Sequence, residues 1–283
     1  MESVALNNGL KMPILGLGIY QVSDLDECEQ VVYDAIKIGY RLIDTAAAYR
    51  NETAVGRAIK RSGVPRDQLF VTTKLWVQDA SYADAKTAVA ASLEKLQLDY
   101  LDLYLIHQPF GDVYGAWRAM EELHKAGKLK AIGVSNFTGD RLADFALNNQ
   151  ITPMVNQIEL HPFNQQIAAI KVMDEYNVQT ESWAPFAQGR QNLFQNERLA
   201  AIGRQYDKSI AQVVLRWNIQ KGVVVIPKSV HKARLEENFD VFDFALSHAD
   251  MQDIASMDEL TRLFVNHQDP EFVKNILGRK IHD

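Results

Sequence analysis

Short apolar runs alternate with segments of helical periodicity eight times along this chain, and that alternation restricts the folds open to it more than any single motif. The runs cover residues 14–18, 42–44, 70–74, 101–107, 131–135, 154–158, 178–183 and 223–227. Between them, Cys28, Val31, Val32, Ala35 and Ile36 share one helical face, as do Val113, Trp117, Met120 and Leu123, so each segment can bury a stripe against a sheet. Further helices are expected over residues 83–96, 141–148, 166–176 and 210–220. Eight strand–helix repeats in 283 residues, with no Pro/Gly/Ser-rich linker, predict an α/β fold, a closed (β/α)8 TIM barrel forming one domain over residues 1–283. Ahead of it, Asn7-Asn8-Gly9 within residues 3–12 predicts a short β-hairpin, because Asn-Gly supplies the positive φ values of a tight turn. A doubly wound sheet is the competing architecture. It calls for Gly-x-Gly-x-x-Gly after the first strand, and Gly16-Leu17-Gly18-Ile19-Tyr20-Gln21 lacks the third glycine and opens no helix.

Composition narrows the setting. Nearly half of the residues are hydrophobic, enough for a large core without staples. The one cysteine, Cys28, cannot make an intramolecular disulfide and fits the apolar stripe of the first helix; no Cys/His group has metal spacing, so no metal is expected. No apolar run approaches the ~20 residues of a membrane span, and the N-terminus lacks a basic region followed by an apolar one, which predicts a soluble cytoplasmic protein. A formal net charge of −6 argues against nucleic acid as a partner. An anionic ligand then needs a local basic cluster, and Lys228 to Arg234 supplies one.

In a barrel, the loops after the strand C-termini hold the site. The strand ends offer Gly18 to Tyr20, Asp44 with Tyr49, Lys74 with Trp76, His107, Ser135 with Asn136, Asn156 with Gln157, Trp183, and Lys228 with Ser229. Polar residues mark the place where any strand meets solvent, which accounts for Ser135 or Asn156 taken singly. It accounts poorly for an ionisable set of Asp, Tyr, Lys and His without a serine nucleophile motif or paired carboxylates. A free phenol, with a pKa of about 10, is too weak an acid to protonate a carbonyl oxygen efficiently at neutral pH. A neighbouring ammonium favours the phenolate, and a carboxylate beside the ammonium keeps it charged and fixed. Asp44, Lys74 and Tyr49 can make that relay, with His107 donating a hydrogen bond to a substrate oxygen. Such a set suits carbonyl reduction and lacks only the hydride. Near the C-terminus, Lys228 ends a strand, Ser229 can help start a helix whose N-terminal amides favour an anion, and Arg234 can make charge-assisted bonds to phosphate; a solvated basic face is the bland alternative.

Asp44-Thr45-Ala46 followed by Tyr49, Lys74 and His107, then Gly133-Val134-Ser135-Asn136-Phe137 and Ile226-Pro227-Lys228-Ser229, resembles the aldo-keto reductases over nearly the whole chain, and most of all the short-loop microbial members such as diketogluconate and methylglyoxal reductases. The resemblance implies NADPH/NADP+ as cofactor and an aldehyde or ketone as substrate. It makes Tyr49 the proton donor, Lys74 and Asp44 its partners, and His107 the group that orients the substrate. It further implies that Ser135, Asn136 and Gln157 bind the nicotinamide carboxamide and that Trp183 stacks on the ring. Lys228, Ser229, Arg234, Glu237 and Asn238 then grip the adenosine 2′-phosphate and adenine. Ala184 and Phe186 depart from the family, which often has Ser and Leu there.

For the substrate pocket, Tyr20, Trp76 and Phe110 are expected as aromatic lining and Gln108, where many members carry Trp, as an amide at the mouth. That combination predicts small or polar carbonyls, such as dicarbonyls and short or aromatic aldehydes, ahead of ketosteroids. The tail over residues 263–276, with Phe264 and Phe272, is expected to close one side, and the resemblance favours a monomer. A cofactor-sensing or scaffold protein on the same barrel, or a barrel enzyme for phosphorylated substrates, are the readings from other classes.

Overall fold

The computed structural model describes residues 2–283. Strands β1 (Ser3–Ala5) and β2 (Lys11–Pro13) pair antiparallel as the N-terminal hairpin. Its turn is wider than a two-residue connection: Gly9 N–H donates to the Leu6 carbonyl at 2.8 Å, and of the three turn residues only Gly9, at φ +84°, has a positive φ. The hairpin caps the bottom of the barrel, where Asn7 and Asn8 donate side-chain hydrogen bonds to the carbonyls of Pro153 and Lys130.

The eight apolar runs become β3 (Gly16–Gly18), β4 (Leu42–Asp44), β5 (Phe70–Leu75), β6 (Leu101–Ile106), β7 (Leu129–Ser135), β8 (Val155–Glu159), β9 (Gln179–Trp183) and β10 (Val224–Val225). They form one parallel sheet in sequential order. Its ends meet through a parallel bridge between Leu15 and Val225, and Gly18 N–H donates to the Pro227 carbonyl at 3.1 Å. Gly18, half of the failed dinucleotide fingerprint, thus has a packing reason: a Cβ there would lie 2.8 Å from the Ile226 carbonyl oxygen, so only glycine lets the first and last strands close.

Helices cover the barrel as their apolar stripes require. Leu25–Ile38 buries Cys28, Val31, Val32, Ala35 and Ile36, and Asp24 caps it by accepting from the backbone N–H groups of Asp26 and Glu27. Val113–Lys125 buries Val113, Trp117 and Met120. Burial pushes the Cys28 thiol up to about 12, so it is inert core. The four other expected helices are Tyr82–Leu96, Gly139–Leu147, Ile167–Glu175 and Ile210–Gln220. The basic helix starts later than its sequence suggests. It spans Lys232–Phe239 with His231 as N-cap, while Ser229 accepts from His231 N–H in the preceding turn. Pro270–Leu277 is the extra C-terminal helix, and no helix among the described residues is long and apolar enough to cross a membrane.

Candidate active site

Because β4, β5 and β6 are adjacent and parallel, their C-terminal ends bring Asp44, Lys74 and His107 to one rim. Tyr49 reaches the same rim from a 3-10 turn, Ala47–Tyr49, that follows β4. Asn51 holds this turn in place: its carbonyl accepts from the Thr45 hydroxyl at 2.7 Å, and its amide donates to the Ile19 and Val22 carbonyls at 3.1 Å each.

Lys74 is fully buried, and its Nζ has three acceptors: Asp44 Oδ1 at 2.5 Å, the Thr45 carbonyl at 3.0 Å and Tyr49 Oη at 3.4 Å. Three acceptors match the three donors of an ammonium. Burial works against that charge, but Asp44 and Tyr49 outweigh it and hold the Lys74 pKa above its ordinary value. The Asp44 carboxyl is itself pushed up by burial, with Lys74 pulling the other way.

Tyr49 departs from the simple relay. Its phenol is pushed up to about 12, because burial and the Asp44 charge together exceed the pull of Lys74. Lys74 does pull the phenol down, but the Asp44 carboxylate beside it opposes that pull. The Tyr49 ring lies edge-on to His107, with centroids 5.6 Å apart, and 5.0 Å from Tyr20. Burial and the positive charges of Lys74 and Arg279 hold His107 well below its ordinary pKa, so it is a neutral imidazole. Its Nδ1 is buried without a partner, which leaves Nε2 to serve a ligand.

The tetrad ends a cleft of about 1240 Å³ that runs across the barrel mouth to the Lys232–Phe239 helix. Asp44, Tyr49, His107, Ser135, Asn136, Gln157 and Trp183 face it at one end, and Lys228, Ser229, Arg234, Glu237 and Asn238 at the other; Lys74 lies beneath the wall. Ser135, Asn136 and Trp183 are already joined. Trp183 Nε1 donates to Asn136 Oδ1 at 3.0 Å, Asn136 Nδ2 donates to the His107 backbone carbonyl at 3.1 Å, and Ser135 Oγ donates to the Gln157 backbone carbonyl at 2.9 Å. Asn136 sits at φ +65°, a conformation that Asn tolerates better than most residues. Lys228 and Arg234 are exposed and have no carboxylate partner among the described residues. No cluster able to hold a metal ion occurs among those residues either.

The chain matches the aldo/keto reductase family over residues 14–259. It belongs to that family. It is 48% identical to the glyoxal reductase of Bacillus subtilis over 94% of this chain and 96% of that protein. It is also 44% identical to the methylglyoxal reductase DkgA of Escherichia coli, over 92% and 94% of the two chains. Among solved structures, the Bombyx mori aldo-keto reductase in complex with NADP superposes with a TM-score of 0.90 at 34% identity, covering 97% of each chain.

Two pocket expectations change in this aldo-keto reductase. Phe110 does not line the cleft; it stands behind the wall, stacked on His267 and edge-on to Phe272, which cover it. Gln108 faces the cleft, but its carbonyl is engaged, accepting from His267 Nε2 at 3.0 Å, so only its N–H groups remain for a ligand. Tyr20 and Trp76 line the cleft, as do Phe264 and Phe272 of the tail.

Sequence reasoning missed Arg279 at the tail's end, the segment Ala187–Gln195 beside the cleft, and Glu181. Arg190 of that segment donates to the Leu263 carbonyl, which joins it to the tail. Glu181 left no clear signal in the sequence, because its strand, Gln179–Trp183, is itself mostly polar.

Proposed function

We infer that this protein reduces aldehydes and ketones to alcohols with NADPH. The observation that carries the reading is the buried Lys74 ammonium held between the Asp44 carboxylate and the Tyr49 hydroxyl, at the end of a cleft whose far end presents two unpaired cations. The residues present fit the cofactor: Lys228 and Arg234 would hold a 2′-phosphate, the Ser135, Asn136 and Gln157 side chains at the opposite end would hold a carboxamide, and the half-buried Trp183 offers an aromatic face. When bound, NADPH supplies the hydride.

The chain's own part is to orient the carbonyl and deliver a proton. His107, neutral and with Nε2 available, donates to the carbonyl oxygen. Tyr49 Oη then protonates that oxygen as it becomes an alkoxide. A phenol near 12 stays protonated at neutral pH, and an alkoxide is a far stronger base than a phenolate, so the transfer runs downhill. The phenolate left behind lies 3.4 Å from the Lys74 ammonium, which stabilises it most when the charge appears.

The named relatives act on glyoxal and methylglyoxal, and the N–H groups of Gln108 at the mouth suit a second carbonyl or a hydroxyl, which supports small, polar substrates. All of the groups invoked lie on one chain in a single barrel, which supports a monomeric one-domain enzyme, and a lone buried cysteine and net charge of −6 suit a cytoplasmic protein that does not bind nucleic acid. The test is NADPH oxidation followed by absorbance over dicarbonyls, sugar aldehydes, aromatic aldehydes and ketosteroids. Tight NADPH binding with no turnover on any of them would defeat the reading.

A further inference from the structure

Glu181 is fully buried inside the barrel, is absent from the cleft wall and has no part in the reaction described above. It pairs in register with Gln157 on the neighbouring strand. Gln157 Nε2 donates to Glu181 Oε2 at 3.0 Å and to Asp44 Oδ2 at 2.9 Å, so both amide protons are taken by carboxyl oxygens. Turning the amide over would set its carbonyl against the Asp44 carboxylate, which only accepts. The orientation is therefore fixed, and Gln157 Oε1 is left as the acceptor on a side chain that faces the cleft.

We propose that Glu181 is a positioning residue: through Gln157 it fixes an amide carbonyl toward the nicotinamide end of the cleft and braces the Asp44–Lys74 pair from below. The proposal rests on the reductase reading given above. The titratable groups facing Glu181 are Asp44 and Lys74 across the barrel; its register partner on β10 is the apolar Val224 and on β8 the neutral Gln157. Burial first, and then the Asp44 charge, push its carboxyl up to about 8, while the Gln157 hydrogen bond and Lys74 oppose them. Its second oxygen, Oε1, is buried without a partner. As pH rises, a second carboxylate thus forms beside a lysine already shared with Asp44. The added negative charge disfavours a phenolate at Tyr49, so proton delivery slows.

The test uses the full-length protein, Glu181→Gln and Glu181→Leu, with NADPH affinity from fluorescence titration and kcat for methylglyoxal reduction between about pH 6.5 and 9. Glu181→Leu, which strands one amide proton of Gln157 and leaves the amide held by Asp44 alone, should weaken NADPH binding about tenfold. Glu181→Gln keeps an acceptor for that proton and should bind NADPH within about twofold of the parent. The parent's kcat should fall severalfold across that pH range while the Gln variant's stays level; Tyr49, near 12, cannot produce a decline there. The cofactor-free protein gives a third readout. A carboxyl raised to about 8 when folded loses stability to the unfolded chain as pH rises from the ordinary carboxylate range, so the Tm of Glu181→Gln should gain on the parent over that window. NADPH affinity unchanged in the Leu variant, or the parent's pH decline persisting in the Gln variant, overturns the proposal. A parent that neither binds nor oxidises NADPH overturns the reductase reading instead, before any variant is made.

Discussion

Trp76 Nε1 donates to the backbone carbonyl of Arg279 at 2.7 Å, joining positions 203 residues apart in the chain. The same indole stands edge-on to His107, with centroids 5.4 Å apart, so one side chain is both cleft wall and anchor for the tail. Trp76→Phe keeps the wall and removes the anchor. Loss of a neutral hydrogen bond costs about 0.5 to 1.5 kcal/mol, so KM for small carbonyls should rise about two- to tenfold with kcat little changed. Steady-state kinetics that show an unchanged KM would mean that the tail needs no such anchor.

The tail is also held by His282 Nε2, 2.8 Å from Asp79 Oδ1, and by Ile281 N–H donating to Gln78 Oε1 at 2.9 Å. The Asp283 backbone carbonyl and then Asp79 raise the His282 pKa. A raised folded-state pKa means that this contact is complete below the ordinary histidine value and lost as pH rises through the folded one. Amide exchange or limited proteolysis should therefore find the last residues better protected under mildly acidic than under mildly alkaline conditions, and His282→Ala should abolish the difference.

Removal of the Tyr49 hydroxyl should remove the acid and spare the cofactor. Tyr49→Phe is expected to lower kcat by about 10² to 10⁴ with NADPH affinity from fluorescence titration nearly unchanged. Near-native turnover in this variant would transfer the acid role to another group.

Lys74→Met should fail twice, in activity and in stability. It strands the buried Asp44 carboxylate, and breaking a buried pair typically costs about 3 to 5 kcal/mol. The double variant Asp44→Asn/Lys74→Met removes both charges and should recover most of the stability in denaturant melts without recovering activity. If the double variant were as unstable as the single one, the pair would not be the source of the loss.

Arg234→Ala should weaken NADPH by one to two decades, since a charge-assisted contact contributes about 1.5 to 3 kcal/mol, while NADH changes little. Equal losses for both cofactors would place the arginine away from the 2′-phosphate. At the other end of the cleft, Gln108→Trp should shift the kcat/KM ratio from methylglyoxal towards benzaldehyde by about tenfold, as the amide donors are lost and apolar wall is gained. An unaltered substrate ranking would remove Gln108 from the specificity argument.

The sequence by itself determined the barrel and the membership of its rim. The 3.6-residue period specifies which face each helix buries, short runs mark the strands, and eight repeats without a linker close the sheet. Asp44, Lys74 and His107 were legible because each lies within one residue of a strand's C-terminal end, and parallel strands deliver their ends to one side. Tertiary structure decided what those groups experience and which interior side chains meet. Barrel strands are buried on both sides, so an acid such as Glu181 carries no local mark of facing inward, and only the stagger of β4, β8 and β9 brings it through Gln157 to Asp44. The Tyr49 pKa likewise depends on how completely the walls exclude water, a sum over residues from several loops. The same limit hid the placing of Phe110 behind His267 and the clasp of Arg279 on Trp76. Those contacts follow from the fit of one surface against another, which no spacing in the chain encodes.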